Sequence, residues 1–152
     1  MSGPATEIER KFLVVTPPSF ARGAGKRIEQ GYLAVEEAGT EVRLRTKGDR
    51  LFLTVKRGAG LERLEAETEI DKKQFDDLWP MTAGRRLTKV RHEIEPGDLT
   101  IEVDVYEGGL AGLVVAEVEF PTRARSEEFQ PPAWFGEDVT GDERYMNQNL
   151  AK

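Results

Sequence analysis

The sequence predicts a β-rich α+β fold in which antiparallel strands dominate and a few short helices pack outside them and at the C-terminus. Three observations carry this. About eight segments alternate apolar and polar residues with the period of two that a half-buried strand requires. The links between most of them are short and rich in glycine, which favours hairpins over parallel crossovers. One stretch, between the fifth and sixth segments, switches to helical spacing behind a capping signal.

The expected strands run from Glu7 to Val15, Arg27 to Val35, Glu41 to Lys47, Leu51 to Arg57, Arg63 to Ile70, Leu87 to Ile94, Leu99 to Tyr106 and Leu113 to Phe120. The turn sequences EEAG, KGD, GAG, EPGD and EGGLAG each supply glycine for positive φ or a side-chain acceptor for a tight reversal. Between Ile70 and Leu87, Asp71 is placed to cap a helix and Gln74 stands at capping-box spacing. Phe75, Leu78 and Trp79 then share a helical face until Pro80 ends or bends it. A second helix is expected from near Thr122 to before Pro131 and Pro132, and a third within Asp142 to Leu150. No internal repeat or low-complexity linker divides the chain, and 152 residues fit one domain, residues 1–152.

The chain carries 22 Lys plus Arg against 28 Asp plus Glu, a net charge of −6, and its charged fraction of 33% exceeds the usual value of about 25%. A net negative protein binds nucleic acid or an anionic membrane poorly, so neither is an expected partner. With no cysteine, disulfides, thiolate zinc sites, iron–sulfur clusters and cysteine nucleophiles are excluded. The one histidine, His92, argues against zinc and lies on the strand face opposite Arg91, as a surface or packing residue. The opening MSGPATEIERK has no apolar stretch behind a basic region. The longest run of apolar residues plus glycine, the one that contains Leu110 to Ala116, is far short of the roughly 20 residues that span a bilayer, so a soluble cytoplasmic protein is expected.

The charges are patterned. Glu7, Glu9 and Lys11 share one strand face, as do Arg43 and Arg45, Lys89 and Arg91, Glu102 and Asp104, and Glu117 and Glu119, because a spacing of two returns a side chain to the same side. Lys56 follows Thr54 around Val55 in the same style. Each pair alone reads as a solvated outer face. Five pairs on different strands admit another arrangement: the strands close into a barrel, the charges line a channel, and Ile8, Leu44, Val55, Val90, Val103 and Val118 pack outward against helices. Such a channel is unfavourable unless each desolvated charge is compensated. Glu7, Glu9, Asp104, Glu117 and Glu119 are too many carboxylates to sit together without a cation, and an all-oxygen donor set favours Mg²⁺ or Mn²⁺. Lys11, Arg43, Arg45, Lys56, Lys89 and Arg91 fit a compact polyanion, and a chain of phosphates satisfies both halves.

These residues resemble the triphosphate tunnel metalloenzymes, also called the CYTH superfamily. The pattern opens with EIERK, which places Glu7, Glu9 and Lys11, and continues in the family's order with QGYL at Gln30 to Leu33, VRLR at Val42 to Arg45, TVK at Thr54 to Lys56, TKVR at Thr88 to Arg91, EVDVY at Glu102 to Tyr106 and EVEF at Glu117 to Phe120. The closing DVTGDERYMNQNL is similar to the family's C-terminal segment, so the match covers nearly the whole chain. The resemblance implies an eight-stranded antiparallel β-barrel forming a tunnel with triphosphate inside it. It implies Glu7, Glu9, Glu117 and Glu119 as divalent-metal ligands, with Asp104 as a further one, and Lys11, Arg43, Arg45, Lys56, Lys89 and Arg91 as the triphosphate clamp. The short length and the LWP and PPAWFGEDVT stretches are most similar to compact bacterial members that hydrolyse inorganic triphosphate. The resemblance also suggests that Arg144 and Tyr145 close one tunnel mouth.

The expected reaction is hydrolysis of tripolyphosphate to pyrophosphate and phosphate, with Mg²⁺ or Mn²⁺, two ions per active site in the reacting complex. A tunnel of Arg and Lys suffices without a nucleophilic side chain, since phosphoryl transfer needs mostly positioning and charge stabilisation. The candidate protein base is Tyr32 in partnership with Lys56, whose ammonium favours a phenolate; the alternative is that Tyr32 packs and donates one hydrogen bond. Two other functions stay open: a class IV-type adenylate cyclase or other nucleoside or thiamine triphosphate hydrolase, and a non-catalytic polyphosphate-binding sensor. For a nucleotide enzyme Trp134 and Phe135 are the candidate stacking groups, although they serve equally as packing residues. Glu65, Glu67 and Glu69 share a face that either holds the basic clamp or meets solvent. The expected partner is a small-molecule triphosphate, and a homodimer is compatible with a sequence that fixes no interface.

Overall fold

The computed structural model describes residues 4–16, 25–58, 60–95 and 97–152, so Ala59 of the GAG turn and Pro96 of the EPGD turn lie outside the described residues. The eight expected strands form as β1 (Ala5–Val14), β2 (Lys26–Val35), β3 (Thr40–Lys47), β4 (Arg50–Arg57), β5 (Glu62–Glu69), β6 (Arg86–Ile94), β7 (Thr100–Tyr106) and β8 (Val114–Glu119), none displaced by more than two residues at either end. They pair in the order β5-β4-β3-β2-β6-β7-β8-β1, and β5 also pairs with β1, which closes an antiparallel barrel of eight strands.

A ninth strand, β9 (Phe135–Asp138), was not expected. One edge of β1 pairs with β8 through Glu9↔Glu119 and Lys11↔Glu117. Its other edge pairs with β5 from Ala5↔Glu65 to Ile8↔Glu62 and then passes to β9, where Phe12 meets Asp138 and Val14 meets Phe135. Gly136 permits this approach, because a Cβ there would stand 3.1 Å from the Leu13 carbonyl oxygen.

The apolar residues between the charges pack outward. Phe12, Val103, Ala116 and Val118 form a core on the outside of β1, β7 and β8, against which Ile8, Phe129, Trp134 and Phe135 pack. The Phe12 and Phe135 rings lie 4.8 Å apart and Trp134 meets Phe135 edge-on at 4.6 Å, so both aromatics of the PPAWF stretch are packing residues outside the barrel. Leu44 is likewise fully buried, whereas Val55, expected to pack outward against a helix, is 39% exposed.

Helix α1 (Lys72–Leu78) starts as expected: Asp71 Oδ1 accepts from the Gln74 amide at 2.8 Å and Gln74 Oε1 from the Asp71 amide at 2.9 Å. A 3₁₀ turn, Trp79–Thr82, carries Pro80 and follows directly, with Phe75 and Trp79 stacked at 5.1 Å. The turn presses on β2 at Gly31, where a Cβ would meet Thr82 Oγ1 at 2.6 Å. Helix α2 (Arg123–Glu128) begins at Thr122, whose side chain accepts from the Arg125 amide. The expected tail helix is broken instead: a 3₁₀ turn, Glu143–Tyr145, then extended Met146, then α3 (Asn147–Leu150). Among the described residues no helix is long and apolar enough to cross a membrane.

Candidate active site

The barrel encloses a cavity of about 230 Å³ lined, among the described residues, by eight cationic side chains and eight carboxylates. Strand periodicity puts them there: alternate residues of β1, β3, β6 and β8 point inward while Ile8, Leu44, Val103 and Val118 point outward. Every expected site residue lines this cavity except Asp104.

The carboxylates divide into groups. Glu7, Glu9 and Glu119 bring one oxygen each to within 4.8 Å of one another. Burial pushes Glu9 well above the usual carboxylate range, and the charges of Glu117 and Glu7 add to the rise. Glu119 is raised by burial and then by Glu7 and Glu117. Burial works in the same direction on Glu7, but a hydrogen bond with Glu65 and the Lys56 ammonium, 3.1 Å away, hold it well below its ordinary value. Three carboxylates with more negative charge than their surroundings offset, all oxygen donors, fit a hard divalent cation. Glu117 stands apart, with Lys11 Nζ at 3.4 Å and Arg91 Nη2 at 3.8 Å. Against burial, those two cations hold it at about 2.

Asp104 is not with the triad. It is fully buried behind the wall, where it accepts from Arg91 Nε and Nη2 at 2.7 and 2.8 Å and from Lys89 Nζ at 2.8 Å. Burial lowers Lys89 to about 8 despite this partner. Glu102, two residues away on the same strand, takes the cavity-facing place, with its Oε2 accepting from Arg91 Nη1 at 2.9 Å. Burial pushes Glu102 up more than Arg91 pulls it down, and with the charges of Glu117 and Asp104 it reaches about 7.

The clamp on the opposite wall is held by carboxylates that sequence reasoning left open or missed. Glu67 Oε2 accepts from Thr54 Oγ1 at 2.7 Å and from Arg45 Nη2 at 3.3 Å, and Glu65 and Glu67 both line the cavity, while Glu69 is exposed and paired with Arg50. Glu41 and Arg63, paired at 3.0 Å, line it as well and were missed, as was Glu102 in this role. Each stands two residues from a charged partner already recognised, Arg43, Glu65 or Asp104, which is the signal that could have found them. The buried Nε atoms of Arg43 and Arg45 have no hydrogen-bond partner among the described residues, as donors awaiting an anion would.

Tyr32 is fully buried, and its hydroxyl accepts from Gln30 Nε2 at 2.6 Å. Burial, only partly opposed by Arg43, pushes the phenol up to about 12. The expected ammonium beside it, Lys56, is bound by Glu7 instead, and the cation facing Tyr32 is Arg43. At the tunnel mouth Met146, Asn147 and Gln148 line the cavity, and Lys11 Nζ donates to the Tyr145 carbonyl at 3.1 Å. Arg144, expected there, is 71% exposed and turned to Asp142. His92 is buried on the strand face opposite Arg91, opposed across the ladder by Val103.

Comparison with known proteins agrees with this geometry. Residues 5–148 match the family described as the CYTH domain. The chain is 46% identical over 147 residues to an inorganic triphosphatase of Nitrosomonas europaea, covering 96% of this chain and 97% of that one. It is 36% identical over 148 residues to an inorganic triphosphatase of Acetivibrio thermocellus, covering 96% and 93%. A crystal structure of an inorganic triphosphatase superposes with a TM-score of 0.70 at 42% identity, over 99% of this chain and 95% of that chain. With its charges turned into a closed barrel and a match that spans almost its whole length, this chain belongs to the CYTH domain family.

Proposed function

We propose that this chain hydrolyses inorganic triphosphate to pyrophosphate and phosphate inside the tunnel, with a divalent cation. The observation that carries the reading is the division of one small polar cavity into a carboxylate triad and a wall of cations whose Arg43 and Arg45 Nε donors lack partners among the described residues. The names of the two curated relatives support it.

Glu7, Glu9 and Glu119 would hold a cation such as Mg²⁺ or Mn²⁺, which would supply positive charge to polarise phosphate oxygens. Arg43, Arg45, Lys11, Lys56, Lys89 and Arg91 bind the remaining oxygens and stabilise the charge that grows on the departing pyrophosphate as water attacks the terminal phosphorus. Asp104 and Glu117 fix Arg91, Lys89 and Lys11 in place for this task. Tyr32, protonated at neutral pH, serves as a hydrogen-bond donor rather than as the base, and Lys56 orients Glu7. A cytoplasmic location and a small-molecule substrate belong to the same proposal, and size-exclusion chromatography decides between monomer and homodimer.

The test is phosphate release from tripolyphosphate, ATP, thiamine triphosphate and pyrophosphate, each with Mg²⁺, Mn²⁺ or chelator. Rapid, metal-dependent release from tripolyphosphate is expected. Faster turnover of ATP would favour a nucleotide enzyme, and binding without release from any of the four would make the protein a sensor.

A further inference from the structure

The two ends of the tunnel differ. At one, Lys47 beside the β3–β4 turn lines the cavity and pairs with Glu93 at 3.2 Å, so that mouth is charged. At the other, the C-terminal tail crosses the barrel and is fastened at three points. Leu150 and Ala151 pack among Tyr32, Leu87, Tyr106 and Val115; Asn147 Oδ1 accepts from the Tyr106 hydroxyl; and the Tyr145 carbonyl accepts from Lys11.

These attachments hold Met146 and Gln148 as a partition. With Arg63, the same two side chains line the tunnel on one side and a second cavity of about 520 Å³ on the other. That outer cavity is bounded by Val35 at the end of β2, by Gly39 and Gly58 from the β2–β3 and β4–β5 connections, and by charged groups of both signs, Glu36, Glu37 and Glu143 with Arg85 and Lys152, so beside its charges it offers apolar surface that the tunnel lacks. The volumes bear on what can enter. Pockets for organic ligands occupy about 300–1,000 Å³; the tunnel, at about 230 Å³, falls below that range and the outer cavity lies within it. A bare triphosphate needs only the tunnel. A triphosphate ester needs somewhere for its organic group, and the largest space with apolar surface that shares side chains with the tunnel, among the described residues, lies behind the partition; a smaller one, of about 390 Å³, adjoins Lys47 and Arg91 beside His92 and Ile94.

We propose that Met146 and Gln148 determine specificity: by closing the outer cavity off from the tunnel they confine the site to triphosphates without an organic substituent, and that cavity receives the substituent of an ester once the partition is opened. The inference rests on the triphosphatase reading above.

The test compares kcat/KM for tripolyphosphate and ATP with Mg²⁺, and calorimetric affinities for tripolyphosphate and the non-hydrolysable β,γ-imido analogue of ATP, in the full chain and its variants. Met146→Ala with Gln148→Ala should raise the ATP-to-tripolyphosphate ratio at least about tenfold, the scale on which loss of a few pocket atoms changes discrimination. The relative affinity for the imido analogue should rise with it. Asn147→Ala frees the tail while keeping both partition side chains, and should move both ratios in the same direction; it carries the test if melting shows the double variant unfolded. Unchanged ratios in folded variants would overturn the proposal. A wild type that binds tripolyphosphate without hydrolysing it would overturn the triphosphatase reading instead, and the affinity ratios would still judge the partition.

Discussion

Arg91 is the residue on which the basic wall depends. Its guanidinium is satisfied by Asp104 through two bonds and by Glu102 through a third, all buried. Removing the cation leaves two carboxylates without it in a dry wall, so Arg91→Met should lower unfolding stability by roughly 3–5 kcal/mol, and Asp104→Asn in the same chain should restore part of the loss. Urea unfolding measures both; a loss under about 1 kcal/mol would mean that water reaches the pair. Tyr32 leads to a prediction about rate. A phenol pushed up to about 12 is a donor at neutral pH, so Tyr32→Phe should reduce turnover of tripolyphosphate by no more than about tenfold, the worth of one hydrogen bond. Loss of a general base would instead cost about 10²–10⁴-fold and remove a limb from the pH profile.

The elements show which parts of the molecule could be read from sequence. Period-two alternation located all eight barrel strands, because one apolar face and one charged face each enforce it. Gly31 entered the sequence reading only as part of the QGYL motif; the structure shows that it sits at a close approach, with the Trp79–Thr82 turn as its neighbour. Gly31→Ala should push that turn off β2 and lower stability by about 1–3 kcal/mol, which thermal or urea unfolding would register; an unchanged midpoint would mean the turn yields freely. Strand β9 was not legible, because it forms only where β5 leaves the edge of β1 unpaired, and FGED has no alternation of its own. The broken tail was hidden for a related reason: Asn147 is held by Tyr106 from another part of the chain. Parity alone also failed to separate Glu102 from Asp104. Both point inward, but their depth in the wall follows from the stagger of closed strands, which no local pattern encodes.

For the whole molecule the decisive quantity is charge balance. The net charge is −6, yet the tunnel lining holds as many cations as carboxylates among the described residues. Such a lining compensates itself, so the barrel can fold without a ligand. A triphosphate brought alone into that balance would add several uncompensated negative charges, and the repulsion already present among Glu7, Glu9, Glu117 and Glu119 marks where a cation relieves it. Divalent metal should therefore stabilise the fold even without substrate. At a hundredfold excess over its dissociation constant the gain is about 2.7 kcal/mol, or roughly 5–10 °C in melting temperature for a chain of this size. Glu9→Gln removes one of the repelling charges and one of the ligands together. Its metal-free melting temperature should match or exceed that of the wild type, while its response to Mg²⁺ or Mn²⁺ shrinks to a small fraction. Differential scanning calorimetry in chelator and in a metal series separates the two effects. A wild type indifferent to metal, or a variant that keeps the full shift, would remove the cation from the triad and leave the tunnel as a site for the polyanion alone.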